Sequence, residues 1–362
     1  MLKILDLYII KKYLSTFFFT MVLITMIAMS IHYFELVDKF INANLTWKQI
    51  AFDYYVHFIP WINGLLWPLF SLLSVIFFTS RMAKNSEVIS ILSSKVSYNR
   101  FLRPYLITAV FLAMLLWVGN NYIIPESNQG KYEFEAEFLR KGAIKSLNFN
   151  THFYLNPDEK IYLRTYSSSD SSGNTFRLER YNNGQLVYIL KANSIKYLKE
   201  SGKWRLTNWQ VRTIDGLKEN LIFNNGNPLD TVLAFNPGDF VRYSSQMEMM
   251  NTSDLRDYLQ NEQDRGLDSG KKYEIELYRR TADPFTIIIL TLIGVSVASR
   301  KVRGGMGLHL ALGIIIGAAF VILSKFAATF STNLALPPVI GVWIPNIVFS
   351  AVALHLLRKA QK

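Results

Sequence analysis

The sequence predicts an α+β membrane protein: six transmembrane helices in two sets of three, with an antiparallel β-domain inserted between the sets. Three observations predict it. Of the 362 residues, 50% are hydrophobic and only 18% charged, and mean hydropathy is +0.16, which excludes a disordered chain and disfavours an ordinary soluble enzyme. Six apolar runs are split three and three by a segment of different composition, residues 126–283. The formal net charge of +12 falls on alternate hydrophilic stretches.

The apolar runs cover residues 13–34, 58–80, 101–124, 284–299, 306–330 and 338–357. A helix needs ~20 residues to cross ~30 Å of hydrocarbon. The fourth run has 16 residues and draws its extra turn from residues 277–281 or from local bilayer thinning. The chain therefore divides into residues 1–125 with three spans, an inserted domain at 126–283, and residues 284–362 with three more.

Lysine and arginine set the orientation. The N-terminal stretch carries Lys3, Lys11 and Lys12; the second loop Arg81, Lys84, Lys95, Arg100 and Arg103; the fourth loop Arg300, Lys301 and Arg303; the C-terminus Arg358, Lys359 and Lys362. These 14 cations face two acids, Asp6 and Glu87, and the remainder of the chain holds 25 charges of each sign. Both termini and the two short loops are expected in the cytoplasm, with the inserted domain outside. No basic patch is left for nucleic acid. Cleavage of the first run as a signal peptide at 28–30 is not expected, because the run exceeds the usual ~7–15 residues and its loss would break the charge alternation.

Within the insertion, short runs rich in β-branched and aromatic residues lie at 152–155, 160–166, 175–181, 185–192, 194–198, 204–212 and 220–223. Turn sequences separate them, including Asn182-Asn183-Gly184, Glu200-Ser201-Gly202, Asp215-Gly216 and Asn224-Asn225-Gly226, and residues 167–173 read as a polar hairpin tip. The strands suit a small sandwich, a jelly roll or a partly open barrel. Phe153, Tyr162, Leu163, Val187, Tyr188 and Ile189 put apolar groups on both faces, more than one core needs, which suggests a ligand groove. Helical connectors are expected at 132–141 and at 254–265, the latter capped by Ser253 and stopped by Gly266. Residues 272–280 lead into the fourth span, with Asp283-Pro284 as a new helix start or a kink.

Signatures of catalysis are missing. The run Gly266–Lys271 has the wrong spacing for a phosphate-binding loop, the five histidines are scattered without H-E-x-x-H, and no serine elbow occurs. The lack of cysteine removes thiolate metal sites, disulfides and cysteine nucleophiles. No catalytic residue, metal or cofactor is assigned, and no chain of intramembrane acids supports proton-coupled transport.

Three features carry functional readings. In the second loop, residues 85–96 form a short helix with Ser86 as N-cap, Glu87 in its first turn, an apolar face of Val88, Ile89, Ile91, Leu92 and Val96, and flanking cations such as Arg81. It either lies on anionic lipid or docks into a cytoplasmic ATPase. Lys325, in the fifth span, is either a snorkelling anchor or a cation for an anionic lipid head. Gly313 and Gly317, four apart in that span, allow close helix packing or mark a seam that opens.

In order and spacing these features resemble the LptF/LptG family, the membrane permease subunits of the lipopolysaccharide exporter of Gram-negative bacteria. The resemblance covers nearly the whole chain. It rests on the three-span, β-domain, three-span order, the loop helix with Glu87, Ile124-Pro125-Glu126-Ser127-Asn128 at the exit of the third span, residues 277–285, and Arg300-Lys301-Val302-Arg303-Gly304-Gly305 before a glycine-rich span. Leu36-Val37-Asp38-Lys39-Phe40 inclines it to the LptG-like subunit. The resemblance implies an inner-membrane permease with a periplasmic β-jelly roll and a second permease of the same family. It further implies an LptB-like cytoplasmic ATPase dimer that hydrolyses the ATP, and LptC/LptA-like jelly-roll proteins that receive lipopolysaccharide. Glu87, Arg81, Val88, Ile91 and Leu92 would then couple to the ATPase. Lys39, Lys325 and Phe34 would meet the lipid, with Lys39 and Lys325 as one phosphate-binding pair, and Gly313 and Gly317 would pack the gate. The competing readings are the permease of another ABC lipid or lipoprotein exporter, opposed by six spans rather than four, and a membrane sensor, which lacks a cytoplasmic output domain.

Overall fold

The computed structural model describes residues 3–139, 151–156, 158–167, 170–224, 226–235, 237, 245–264, 270–300, 305–333 and 336–360. Gly266 and residues 301–304 of the sequence analysis lie outside these. The chain forms two compact units, one of residues 1–134, 247–255 and 271–362, the other of residues 135–246 and 256–270.

The first unit is a helical bundle. Its helices are α1 (Ile4–Asn42), α2 (Val56–Lys84, led by a π-helical turn at Gln49–Tyr55), α3 (Glu87–Ser93), α4 (Tyr98–Val118), α5 (Ile124–Phe134), α6 (Gln246–Met249), α7 (Thr252–Asp264, which runs on into the second unit), α8 (Lys271–Ala298), α9 (Gly305–Asn333) and α10 (Pro338–Ala360). Among the described residues, six helices are long and apolar enough to cross a membrane. They extend beyond the hydropathy runs: the 39 residues of α1 span roughly 58 Å at ~1.5 Å each, about twice the hydrocarbon thickness. A π-helical turn at Gly119–Ile123 joins α4 to α5 without a break.

Three local expectations change. Ser86 does not cap α3 through its side chain; its backbone is left-handed at φ 62° and turns the chain from α2 into α3, while its carbonyl accepts from Ser90 N–H at 3.0 Å. Ser253 does not cap α7 either, since that helix begins at Thr252 and its first carbonyl acceptor is Asn251. Of the two readings of Asp283-Pro284, a new helix start or a kink, the first fails, because Pro284 lies inside α8. Its ring forbids one N–H···O bond, and packing on both sides holds the helix through it.

That packing is dense. Helix α8 is packed by α2, α4, α9 and α10, and Ile287, Leu290, Ile293 and Val295 are fully buried. Buried hydroxyls and amides join neighbours. The hydroxyls of Tyr13, Ser71 and Thr291 meet at 2.5–3.2 Å and connect α1, α2 and α8. Thr25 bonds Asn63, and Thr286 donates to Asn346, whose amide returns to the Ala282 carbonyl. Such bonds contribute about 0.6 kcal/mol each in a membrane setting, so several are needed to fix the arrangement. On α9, by contrast, Thr329 and Thr332 turn their hydroxyls back to carbonyls of their own helix.

The second unit is built on one antiparallel sheet, β1 (Thr151–Asn156), β2 (Glu159–Ser167), β3 (Ser172–Asn182), β4 (Gln185–Leu198), β5 (Lys203–Asp215) and β6 (Lys218–Phe223) in sequential order, with β7 (Leu229–Thr231) also paired to β5. The two runs expected at 185–192 and 194–198 are one continuous strand. Asn183-Gly184, both at positive φ (48° and 76°), make the tight β3–β4 turn. Register places apolar residues in rows: Ile161, Leu178, Leu190, Val211 and Ile222 stand opposite one another from β2 to β6. Trp204 closes this face, with its indole N–H on the Phe235 carbonyl at 3.0 Å. The opposite face is not the second apolar surface the strand composition suggests. Its rows run Tyr162, Arg177, Lys191, Gln210 and Lys160, Glu179, Ile189, Arg212, where charges separate the aromatic and aliphatic groups.

Candidate functional site

Three places hold the residues singled out in the sequence. The first is α3, beside the termini. Val88 is fully buried, and Ile91 and Leu92 pack partly against the same cluster of α1, α2 and α4 residues. Ile89 is half exposed. Glu87 accepts from the Tyr8 hydroxyl at 3.0 Å and from Asn85 at 3.3 Å, so the acid is oriented against the first turns of α1 while Arg81 remains exposed. The helix is thus held to the bundle by its apolar side and shows a face carrying Glu87, Ile89 and Ser90.

The second is the glycine seam. A Cβ on Gly313 would lie 2.5 Å from Ile76 Cδ1, and one on Gly317 2.7 Å from Leu69 Cδ2. Both glycines therefore face α2. Gly294 of α8 meets the same α2 residues from the other side, with a Cβ position 3.1 Å from Val75 and 3.4 Å from Ile76 and Leu72. Leu72 and Ile76 are clamped between two helices that can come near only because neither carries a side chain there.

The third lies at the end of the bundle from which the inserted domain leaves. Arg280 is almost fully buried and donates to four acceptors: Glu276 Oε1 at 3.3 Å, Thr252 Oγ1 at 3.0 Å, the Met247 carbonyl at 3.1 Å and the Met250 carbonyl at 2.8 Å. Thr252 in turn bonds Asn121 Oδ1 in the π-helical turn, and from α5 Asn128 donates to the Glu248 carbonyl and Tyr132 to the Glu248 carboxylate. Beside this clasp, Arg279 lies 3.6 Å from Glu276 and 3.4 Å from Asp283. Arg279, Asp283 and Lys325 all line two adjoining cavities of about 140 and 120 Å³.

Lys325 is therefore gathered with Arg279 and Asp283. Lys39 is not part of that group: it is exposed on α1, whose packing partners are α2 and α4, whereas α9 packs on α2, α8 and α10. Lys325 lines the same cavities as Arg279 and Asp283 of α8. Phe34 is exposed on the same turn region of α1 as Tyr33, 6.0 Å between rings.

A model of the family described as lipopolysaccharide export system permease LptF/LptG matches residues 7–359. The chain belongs to the LptF/LptG family. Among similar relatives are the lipopolysaccharide export system permease protein LptG of Haemophilus influenzae, 21% identical over 364 residues and 99% of each chain, and that of Escherichia coli K12, 20% identical over 364 residues and 98% of each. An uncharacterized protein of Aquifex aeolicus is 24% identical over 215 residues, 56% of this chain and 55% of its own. As an LptF/LptG member with six apolar helices, the chain is a multi-pass inner-membrane permease subunit and not an enzyme in its own right.

For this LptF/LptG chain, sequence reasoning missed Arg279, Arg280 and Asp283 as a site, although it used the segment for the resemblance. A signal was present. Glu276-Arg280 and Arg279-Asp283 are both four apart just before an apolar run, the spacing at which opposite charges meet on a helix.

Proposed function

We propose that the chain is the LptG-like permease of an ABC-type exporter that extracts lipopolysaccharide from the outer leaflet of the inner membrane and passes it to a periplasmic jelly-roll bridge. The observation that carries this reading is the family match over residues 7–359 together with relatives named LptG across their full length. In this reading a second LptF/LptG-type permease completes the pore. Both termini and α3 are cytoplasmic, and an ATPase dimer docks on the exposed side of α3 through Glu87 and Arg81. The sheet is periplasmic, and the open end of its apolar face, at half-exposed Ile222, is where acyl chains pass toward LptC/LptA-like proteins. Phe34, Lys39 and Lys325 meet the lipid, Lys39 and Lys325 acting on different parts of it.

The polar clasps among α1, α2, α8 and α10 support a rigid frame, and the glycine contacts of α9 support a helix that moves against it. The test is ATP-dependent release of lipopolysaccharide from proteoliposomes holding the chain with its co-purified partners. Release that requires ATP supports the reading; ATP hydrolysis without release at any lipid loading counts against it.

A further inference from the structure

Arg279 and Arg280 are adjacent in sequence and differ in how far their charge is satisfied. Arg280 has four acceptors, is almost fully buried and serves to hold residues 247–252. The Arg279 side chain is 41% exposed; its Nε donates to Asp283 at 3.4 Å and its Nη1 lies 3.6 Å from Glu276, both longer than the ~2.7–2.9 Å of a strong charge-assisted hydrogen bond. Its guanidinium is thus held near acids without being saturated by them.

Lys325 lines the same two cavities from α9, with Arg279 and Asp283. The larger cavity is lined at this end by Arg279, Lys325 and Asp283, two cations against one carboxylate. The rest of its lining is mostly apolar, with Leu65, Phe320 and Val342, and also holds the polar Thr286, Ser324 and Asn346. In the adjoining cavity Glu248, Glu276 and Asp283 balance Arg279, Arg280 and Lys325, so the positive surplus belongs to the larger, more apolar cavity. A planar guanidinium only loosely held by its carboxylates and an ammonium beside it, both lining a mostly apolar cleft between helices, suit a phosphate that carries an apolar tail.

We propose that Arg279 and Lys325 form a phosphate-binding site in the cleft between α2, α8, α9 and α10, with Asp283 as the internal carboxylate that a phosphate displaces. The site deepens the lipopolysaccharide reading above and rests on it for the ligand. It adds a group on α8 to the lysine on α9 and makes a lipid phosphate exchange one counter-charge of Lys325 for another.

The experiment titrates the full chain in phosphatidylcholine nanodiscs with four probes: lipopolysaccharide, dephosphorylated lipopolysaccharide, phosphatidylglycerol and inorganic phosphate. Arg279→Gln and Lys325→Gln are each expected to weaken lipopolysaccharide binding about tenfold, about the contribution of one hydrogen bond to a charged group, and to leave binding of the dephosphorylated lipid unchanged. Arg279→Lys should restore part of the loss. Asp283→Asn should tighten binding a few-fold, because it removes the competing carboxylate; a purely structural Asp283 would weaken it. Wild-type affinity in both glutamine variants, or equal weakening by Asp283→Asn and Arg279→Gln, overturns the site. Binding of phosphatidylglycerol or inorganic phosphate through these residues, with no binding of lipopolysaccharide, upholds the site and removes the export reading instead.

Discussion

Arg100 grips Asp6 with both terminal nitrogens, each 2.6 Å from a carboxylate oxygen, and so ties the first turn of α1 to the first turn of α4. The carboxylate side chain is 3% exposed, and its remaining need is met by the Lys3 backbone N–H at 2.8 Å. Two of the residues that a charge tally treats as mere topology signals are one structural joint.

Removing one member leaves the other buried without its partner, which costs more than removing both. Arg100→Gln should lower the apparent melting temperature of the purified chain, and adding Asp6→Asn should recover most of the drop. Equal or additive losses in a double-mutant cycle, followed by thermal unfolding in detergent, would show that the two act separately.

The glycine seam predicts a size threshold. Gly313→Leu should destabilise the chain by about 1–3 kcal/mol through overpacking against Ile76. The double variant Gly313→Leu/Ile76→Ala should regain a good part. Gly307, with nothing within 4 Å of a Cβ position, is the control, and Gly307→Ala should be neutral or slightly stabilising. Denaturant midpoints of the three variants check the order.

Arg280→Ala should loosen residues 247–252, because two of their carbonyls and Thr252 depend on its guanidinium. A hydrogen bond to a charged group contributes ~1.5–3 kcal/mol, so amide exchange there should speed up about tenfold or more. Arg279→Ala, one residue away, should leave exchange in 247–252 near wild type. Hydrogen exchange read by mass spectrometry separates the two.

Much of the fold was legible because each element carried its own period. Runs of ~20 apolar residues announce spans without tertiary information, and Asn182-Asn183-Gly184 announces a hairpin because only such residues accept two positive φ values. Caps were less legible. Ser86 and Ser253 have the right chemistry, but the tight return from α2 to α3 forces Ser86 into a left-handed backbone, and the tie of Thr252 to Asn121 starts α7 two residues earlier. The site was legible only in part. Lys325 was visible as a cation in an apolar run, whereas its companions Arg279 and Asp283 come from a helix 46 and 42 residues earlier in the chain, a proximity that no periodicity encodes.

The sheet unit has a pH dependence of predictable sign. Arg205 donates twice to Asp230 at 2.8 Å, and this holds the Asp230 carboxyl below the ordinary aspartate range. A lowered folded-state value means that the pair contributes fully above the unfolded pKa of ~3.9 and is lost as pH falls through the folded value. The β5–β7 pairing should therefore hold at neutral pH and weaken in acid below about 4. Amide exchange of residues 229–231 should show that acid-side loss, corrected for intrinsic rates, and Arg205→Gln should abolish its pH dependence.

The central claim is that this permease is driven by a separate ATPase docked at α3. The direct measurement is co-purification of the ATPase with the tagged chain, comparing wild type, Glu87→Lys and Tyr8→Phe. The wild type is expected to retain the ATPase, Glu87→Lys to lose most of it with membrane insertion unchanged, and Tyr8→Phe, which removes the hydrogen bond to Glu87 but keeps the carboxylate, to retain it. Full retention by Glu87→Lys, or absence of any ATPase from the wild-type preparation, would contradict the claim.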